Sequence, residues 1–281
     1  METEGRESCF PGFSRYSPAA RPGRAHTVGA RAHTEGRGGM SGGAGPAAEV
    51  DAIGGFFALR TGTQHTVPAD GPAATLAAVY AGDDGPLDRR IDRVAARLGI
   101  EERRVAASIA HLGLAARLWS VALGHAALHG TLPALHPADL RWSPDHSSPD
   151  DLLLTDPHSL PASVETIRRT VQDGHLVPLA AALRRSTRIS PGLLRGNAGS
   201  ALAGAVREID TWAARTGRPE AAARARDLAG ELFARPGLAG TVHGPRMRRR
   251  SCCLYYRAGG GLCGDCVFDT PPAAARPTGS G

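Results

Sequence analysis

Four of the five cysteines of this 281-residue chain lie within fifteen residues of one another near its C-terminus. They form an adjacent pair, Cys252 and Cys253, followed after nine residues by Cys263 and Cys266 in a C-x-x-C motif. Cysteines this close together in sequence usually form one site, either a metal site or a pair of redox-active thiols. The fifth cysteine, Cys9, lies in a low-complexity segment, and we do not expect it to be a ligand.

Three chemistries fit these four cysteines. A structural zinc site normally uses two C-x-x-C knuckles, and adjacent thiolates reach one tetrahedral ion awkwardly because neighbouring side chains diverge. An iron–sulfur cluster is larger and accepts neighbouring thiolates more easily, and four thiolates suit either [2Fe–2S] or [4Fe–4S]. Thiol redox chemistry at Cys263 and Cys266 requires a following helix, which residues 267–272 do not predict. The spacing favours a cluster and leaves zinc and thiol redox chemistry as alternatives.

The residues around the cysteines suit a redox centre. Gly259–Gly261 lets the backbone pass close to a bulky ligand and offers N–H groups to sulfur. Arg248–Arg250 and Arg257 place positive charge beside an anionic cluster, which would raise its reduction potential and attract an acidic electron donor. An equally good interpretation is that these arginines are simply exposed.

The charge of the chain excludes several function classes. The formal net charge is +6, and all 33 basic residues are arginine. The absence of lysine excludes Schiff-base chemistry and lysine-dependent phosphate loops. Arginines alternate with acidic residues, as in 87–93 and 101–104, and aromatic residues are not interleaved with them. We therefore predict solvated helix faces and no nucleic-acid partner.

The N-terminus and the most apolar segment bear on the cellular compartment and on membrane insertion. No apolar signal core is visible at the N-terminus, so we expect a cytoplasmic protein, in which thiols stay reduced. The most apolar stretch, 105–128, is rich in alanine and interrupted by His111, Arg117 and His125. This pattern favours a buried helix, and we predict no transmembrane segment.

Apolar periodicity predicts a mostly α protein. Pro86 opens a helix that Gly99 closes, and a longer helix from about 101 ends at Gly130. A strand is predicted at 56–60, and the Pro-, His- and Asp-rich stretch 131–160 is predicted to be loop. Further helices are expected at 73–80, 163–173, 179–185, 193–215 (after Ser190-Pro191) and 219–233.

Four regions follow from these elements. Residues 1–48 are a predicted disordered extension, within which Met40 is a plausible start. Residues 49–240 form a helical body, 241–270 a small irregular cysteine-bearing segment, and 271–281 a loose tail. The predicted fold is thus a mostly α body with an irregular metal-binding end.

The cysteine motif resembles the FhuF-like ferric siderophore reductases of the actinobacterial type. The residues that carry the resemblance are 248–257 and 259–266, with weaker likeness at 118–120, 123–124 and 196–205. The resemblance implies that Cys252, Cys253, Cys263 and Cys266 hold a [2Fe–2S] cluster. The family has ten residues between the pair and the C-x-x-C motif, whereas this chain has nine, so its loop is shorter by one residue.

The resemblance also implies an activity. A protein of this family passes one electron to ferric iron in an imported, hydroxamate-type siderophore, and ferrous iron is released in the cytoplasm. No nicotinamide or flavin site is apparent in this sequence, so we expect a separate electron-donor protein. The alternative is a non-enzymatic, zinc-stabilised helical interaction module. The spacing and the resemblance together favour the reductase.

Other residues are weaker candidates. His111, His125 and His129 share a predicted helix, but no acidic residue completes a metal-binding pattern, so we favour structural roles. Core packing is expected for Trp119, and close helix packing for the small residues of 196–205. Four aspartates in the 131–160 stretch suggest contacts to a cationic siderophore, although a solvated loop is the favoured interpretation: Asp145, Asp150, Asp151 and Asp156. Trp142 is a candidate pocket residue. No substrate-binding residue is assigned.

Overall fold

The computed structural model describes residues 46–62, 73–259 and 261–272. Cys9 and Met40 lie outside the described residues. The predicted extension 1–48 also lies outside them, except for its last three residues, which begin the first helix. Of the predicted tail, residues 271 and 272 are described.

The described residues are mostly helical, which confirms the predicted fold class. A π-helical segment, Arg168–Leu176, joins two of the α-helices, and a short 3₁₀-helix, Tyr255–Ala258, lies between the cysteine pairs. The α-helices are α1 Pro46–Asp51, α2 Leu76–Ala81, α3 Gly85–Leu98, α4 Arg103–His129, α5 Val164–Ile167, α6 Val177–Ser186, α7 Pro191–Thr216 and α8 Pro219–Phe233.

Several helices begin and end where the sequence predicts. Helices α3, α7 and α8 each have proline in their first turn, where its fixed φ is compatible with the helix and its missing N–H costs nothing. Helix α4 ends at Gly130, which has φ 68° and donates its N–H to the Ala126 carbonyl. Gly99 closes α3 in the same left-handed conformation.

Helix α4 is the centre of the core. It packs mainly against α7, and also against α3 and α8. It is long and apolar enough to cross a membrane by length and composition alone, but 89% of its most apolar window is buried inside this protein. Its side chains are apolar around most of the helix because α4 is surrounded by other elements of the fold.

The stretch 131–160 is not a plain loop, contrary to the prediction. It carries four three-residue strands: β3 Thr131–Pro133, β4 Leu140–Trp142, β5 Leu152–Leu154 and β6 Ser159–Pro161. Two shorter strands, β1 Arg60–Thr61 and β2 Ala74–Thr75, complete a sheet in the order β1-β5-β4-β2, in which β1 and β5 are parallel and the other pairs are antiparallel. Strands β3 and β6 form a separate antiparallel pair.

Two other boundaries differ from the prediction. The strand predicted at 56–60 begins only at Arg60, because Phe57 closes a turn by donating its N–H to the Gly54 carbonyl at 2.8 Å. The helix predicted at 73–80 begins at Leu76, after strand β2, where the Thr75 hydroxyl accepts a hydrogen bond from the Ala78 N–H.

The helices predicted at 163–173 and 179–185 form one continuous helical run. The break predicted between them, residues 174–178, falls in and just after the π-helical segment. There the Val177 N–H donates to the Gln172 carbonyl, five residues back, in place of the usual four.

A buried ion pair anchors the 131–160 stretch to the core. Arg117 on α4 and Asp151 are each 2% exposed, and their Nε and Oδ1 atoms lie 2.9 Å apart. Arg117 also donates to the carbonyls of Phe56 and Pro149. Asp151 is therefore a structural residue, and the solvated-loop interpretation is wrong for it. Asp150 is exposed and pairs with Arg60 at 3.0 Å.

A buried histidine gives the fold a pH dependence. His175 is fully buried, its Nε2 lies 2.6 Å from the Leu135 carbonyl and its Nδ1 lies 2.9 Å from the Tyr80 hydroxyl. Burial lowers the pKa of His175 to about 4, although the hydrogen bond to Leu135 partly opposes this. Below about pH 6.5 the unfolded chain gains a proton at this position that the folded chain does not accept.

We therefore expect the free energy of unfolding to fall as the pH drops from 6.5 towards 4. His175 should contribute a slope of up to about 1.4 kcal/mol per pH unit, and nothing above pH 7. Urea unfolding at pH 7, 6 and 5, compared with the same series for His175→Gln, measures that contribution. Equal slopes in the two proteins would contradict this assignment.

Candidate metal centre

The cysteine segment leaves the helical body through a small hairpin. Strand β7, Val242–His243, pairs antiparallel with β8, Arg248–Arg249, and the cysteine pair follows β8. The second pair closes a tight turn, in which the Cys266 N–H donates to the Cys263 carbonyl at 3.0 Å. The segment is otherwise irregular, as the sequence predicts.

The four thiols of this segment lie close together. Cys253, Cys263 and Cys266 are buried and Cys252 is half-buried, and none of the four forms a disulfide among the described residues. The Sγ atoms of Cys253 and Cys263 lie 3.5 Å apart, so the structure pairs one member of the adjacent pair with one member of the C-x-x-C motif. Among the described residues, no three His, Cys, Asp or Glu side chains converge on a single metal ion.

Backbone amides point at the two remaining sulfurs. Leu254 has φ 68°, which reverses the chain directly after the cysteine pair and brings its N–H to 3.2 Å from the Cys252 Sγ. The Phe268 N–H lies 3.4 Å from the Cys266 Sγ. Burial raises the pKa of the Cys252 thiol, and the Leu254 N–H partly lowers it. Such N–H groups stabilise a sulfur that carries negative charge.

Apolar side chains surround the thiols. Tyr255, Leu262 and Phe268 pack against the three buried cysteines. The rings of Tyr256 and Phe268 meet edge to face with centroids 5.9 Å apart. Gly259 and Gly261 have φ 76° and 80°, a left-handed conformation that glycine adopts without strain, so the loop between the cysteine pairs favours glycine at both positions.

Two glycines of α7 form the seat of the cysteine segment. A Cβ at Gly196 would collide with the Ser251 hydroxyl, and a Cβ at Gly199 would lie 2.7 Å from the Thr241 Cβ. Both contacts fall on the segment that carries the cysteines. The small residues at 196 and 199 therefore allow this segment to lie directly on α7, whereas the sequence suggested close packing between helices.

A buried hydrogen-bond network joins the seat to the cysteines. The Ser108 hydroxyl on α4 donates to the Cys253 carbonyl at 2.7 Å, and the Asn197 Nδ2 donates to the Ser108 carbonyl at 2.9 Å. On the other side, the Ser200 hydroxyl donates to the Asp265 carboxylate at 2.5 Å. Apolar periodicity could not single out Ser108, Asn197 or Ser200, because isolated polar residues on alanine-rich helices have no periodic pattern.

The three neighbouring arginines have three different environments. Arg249 is buried and donates to the Asn197 Oδ1 and the Ser251 carbonyl, both at 2.6 Å. Arg248 is half-buried and donates to the Cys266 carbonyl. Arg250 is exposed. The interpretation of the run as simply exposed is therefore wrong for Arg248 and Arg249.

The remaining candidates lie apart from this site. Trp119 and Trp142 are in the core, 0% and 1% exposed. The rings of His125 and His129 lie 6.2 Å apart, and the His129 Nε2 lies 3.0 Å from the Pro46 carbonyl. Asp145 lies 3.9 Å from Arg89. Asp156 lies 4.0 Å from His158 and is largely exposed, as the solvated-loop interpretation predicts.

Alanine substitutions at two glycines of α7 should have opposite effects on stability. We expect Gly199→Ala to lower the free energy of unfolding by about 1 to 3 kcal/mol, because Thr241 has to move. The matched control is Gly204→Ala, whose added Cβ meets only the Arg207 side chain, at 3.7 Å. It should stabilise α7 by about 0.5 to 1 kcal/mol. Urea unfolding measures both, and destabilisation of equal size in both variants would contradict the seat.

Comparison with protein families bears directly on this segment. Residues 249–268 match the model of the FhuF 2Fe-2S C-terminal domain. The match spans both cysteine pairs and the nine-residue gap, so the shortened loop remains compatible with the domain. No curated protein matches the chain. Residues 249–268 are therefore a segment of the FhuF C-terminal type, the type that binds a [2Fe–2S] cluster.

Proposed function

We propose that this protein is a cytoplasmic ferric siderophore reductase. It passes one electron to ferric iron held by a siderophore, and ferrous iron is released. The observation that carries the proposal is the FhuF 2Fe-2S domain, whose cysteines are fixed on the helical body by Arg249, Ser108 and the α7 glycines.

The residues present fit a [2Fe–2S] cluster. Four thiols are its usual ligand set, and Cys252, Cys253, Cys263 and Cys266 would supply them. The Sγ atoms of Cys253 and Cys263 lie 3.5 Å apart, and those of Cys252 and Cys266 each face a backbone N–H. When bound, the cluster supplies one electron at a time.

The chain's own residues set the conditions for this chemistry. Tyr255, Leu262 and Phe268 limit water around the thiols. The amides of Leu254 and Phe268 stabilise negative charge on sulfur. Reduction releases the metal because the hard oxygen donors of a siderophore favour ferric over ferrous iron. The reaction needs no general base, so the polar network serves to hold the cysteines and does not transfer protons.

Two partners follow from this proposal. The oxidant is a ferric siderophore of the hydroxamate type. The reductant is a separate electron-donor protein, since the one G-x-G-x-x-G spacing, 259–264, lies within the cysteine motif and not between a strand and a helix. Exposed Arg250, close to the cysteine pair in sequence, would favour an acidic donor surface.

Two measurements on anaerobically purified protein test the proposal. The visible absorption spectrum, with iron and sulfide analysis, should show two irons and two sulfides per chain. A colourless protein with stoichiometric zinc would support the interaction module instead. The dithionite-reduced protein, freed of dithionite, should then yield ferrous iron from a ferric trihydroxamate, followed with a ferrous-specific chelator. A red-brown protein that reduces no ferric hydroxamate would overturn the substrate assignment and leave the cluster in place.

A further inference from the structure

A cavity of about 280 Å³ opens on the face of α7 beside the cysteine seat. Leu194, Arg195 and Ala198 line it from α7, and they alternate with Gly196 and Gly199, which carry the cysteine segment. The π-helical segment and α6 form the opposite wall. A ligand in this cavity would lie on the same turns of α7 as the cysteine segment. The volume suits one arm of a siderophore, since pockets that enclose a whole drug-sized ligand have about 300 to 1,000 Å³.

The cavity contains two buried polar atoms without partners. His111 is 1% exposed and its Nδ1 has no hydrogen-bond partner, and Gln172 is 8% exposed and its Oε1 has none. Burial, with a contribution from Arg249, lowers the pKa of His111 to about 3, so its imidazole is neutral. An unsatisfied buried polar atom is unfavourable, and a ligand with both a donor and an acceptor would satisfy these two atoms. An amide group has both.

Two of the exposed residues that line the cavity are arginines. Arg184 and Arg195 are exposed, and neither has an acidic partner within 4.0 Å among the described residues. Arg185, the neighbour of Arg184, pairs with Asp84 at 2.8 Å and does not line the cavity. Val177, also on the cavity, is 56% exposed and offers an apolar contact. Two unpaired guanidinium groups beside an apolar edge suit a carboxylate on an aliphatic chain.

We propose that this cavity is the specificity site for a carboxylate-bearing arm of the ferric siderophore. An amide of the arm bonds to His111 and Gln172, and the free carboxylate lies between Arg184 and Arg195. This inference rests on the proposed reductase function and adds a substrate class to it. The site selects anionic ferric chelates over neutral or cationic ones.

The test uses two probes with identical metal coordination. They are gallium(III) complexes of a linear trihydroxamate that ends either in an amine, with net charge +1, or in a succinyl carboxylate, with net charge −1. Isothermal titration of the holoprotein should show the carboxylate complex binding roughly tenfold more tightly. Arg184→Gln combined with Arg195→Gln should abolish the preference.

Arg207→Gln combined with Arg215→Gln is the matched control, because both arginines are exposed on α7, about 18 and 30 Å along the helix from Arg195, and the pair removes the same two charges. It should retain the preference. Equal affinities for the two complexes, binding of neither complex, or a preference that survives the double variant would each overturn the proposal. Gallium(III) complexes accept no electron here, so these results are independent of whether the reduced protein delivers electrons to ferric iron.

Discussion

Replacement of Cys253 by serine is expected to remove nearly all visible absorption of the purified protein, with a loss of bound iron of roughly tenfold or more. Cys253 is 2% exposed and its Sγ lies 3.5 Å from that of Cys263, so no solvent ligand can replace it without rearrangement of the segment. A serine hydroxyl is harder and far less acidic than a thiol, which makes it a poor ligand for a cluster. Iron and sulfide analysis beside the spectrum measures the effect.

Cys9→Ser is the matched control for this experiment, because it removes the one cysteine outside the cluster motif. We expect its spectrum and iron content to equal those of the parent protein. Intact absorption in Cys253→Ser would show that the assigned ligand set is wrong. Loss of colour in both variants would show that Cys9 contributes, contrary to the assignment from sequence.

Substitution of Arg249 by methionine is expected to lower the free energy of unfolding by about 3 to 5 kcal/mol. The guanidinium is 0% exposed and makes two hydrogen bonds of 2.6 Å, to the Asn197 Oδ1 and the Ser251 carbonyl. Methionine fills a similar volume but leaves both acceptors buried without these donors. Because Ser251 directly precedes the cysteine pair, the cysteine segment should detach from α7 before the helical body unfolds.

Two probes separate these events. In urea, visible absorption reports on the cysteine segment, and far-ultraviolet circular dichroism reports on the helices. Arg249→Met should lose its absorption at a lower urea concentration than its helical signal. The exposed neighbour supplies the control, and Arg250→Met should change the unfolding free energy by less than about 0.5 kcal/mol. Similar effects at the two positions would contradict the role assigned to Arg249 in holding the cysteine segment on α7.

The helical part of the fold could be predicted because its signals are local. Proline in the first turn of α7 and glycine after the last turn of α4 act on their own segments of backbone, whatever packs against them. The cysteine spacing is also a local signal, and it favours an iron–sulfur cluster. The short strands could not be predicted, because two or three residues between prolines show no alternation, and their pairing depends on distant segments.

The surroundings of the cysteines could not be predicted from local sequence patterns either. Ser108 and Asn197 lie 89 residues apart in the chain, and their hydrogen bonds form only when α4 packs on α7. Arg249 and Arg250 look identical in sequence, yet one is buried and the other exposed. Which arginine of the run turns inward is decided by β8 and by the position of Asn197 across the interface.

The position of the seat within the chain has a consequence for biosynthesis. Helix α7 ends at Thr216, and 35 residues lie between it and Cys252. At about 5 to 20 residues per second, a ribosome takes about 2 to 7 s to add them. Contacts between helices form in microseconds to milliseconds. Because every α-helix of the body precedes the cysteines in the chain, the helices also leave the ribosome before the cysteines do. The iron–sulfur assembly machinery of the cell therefore meets these thiols last, against helices that have already had time to pack.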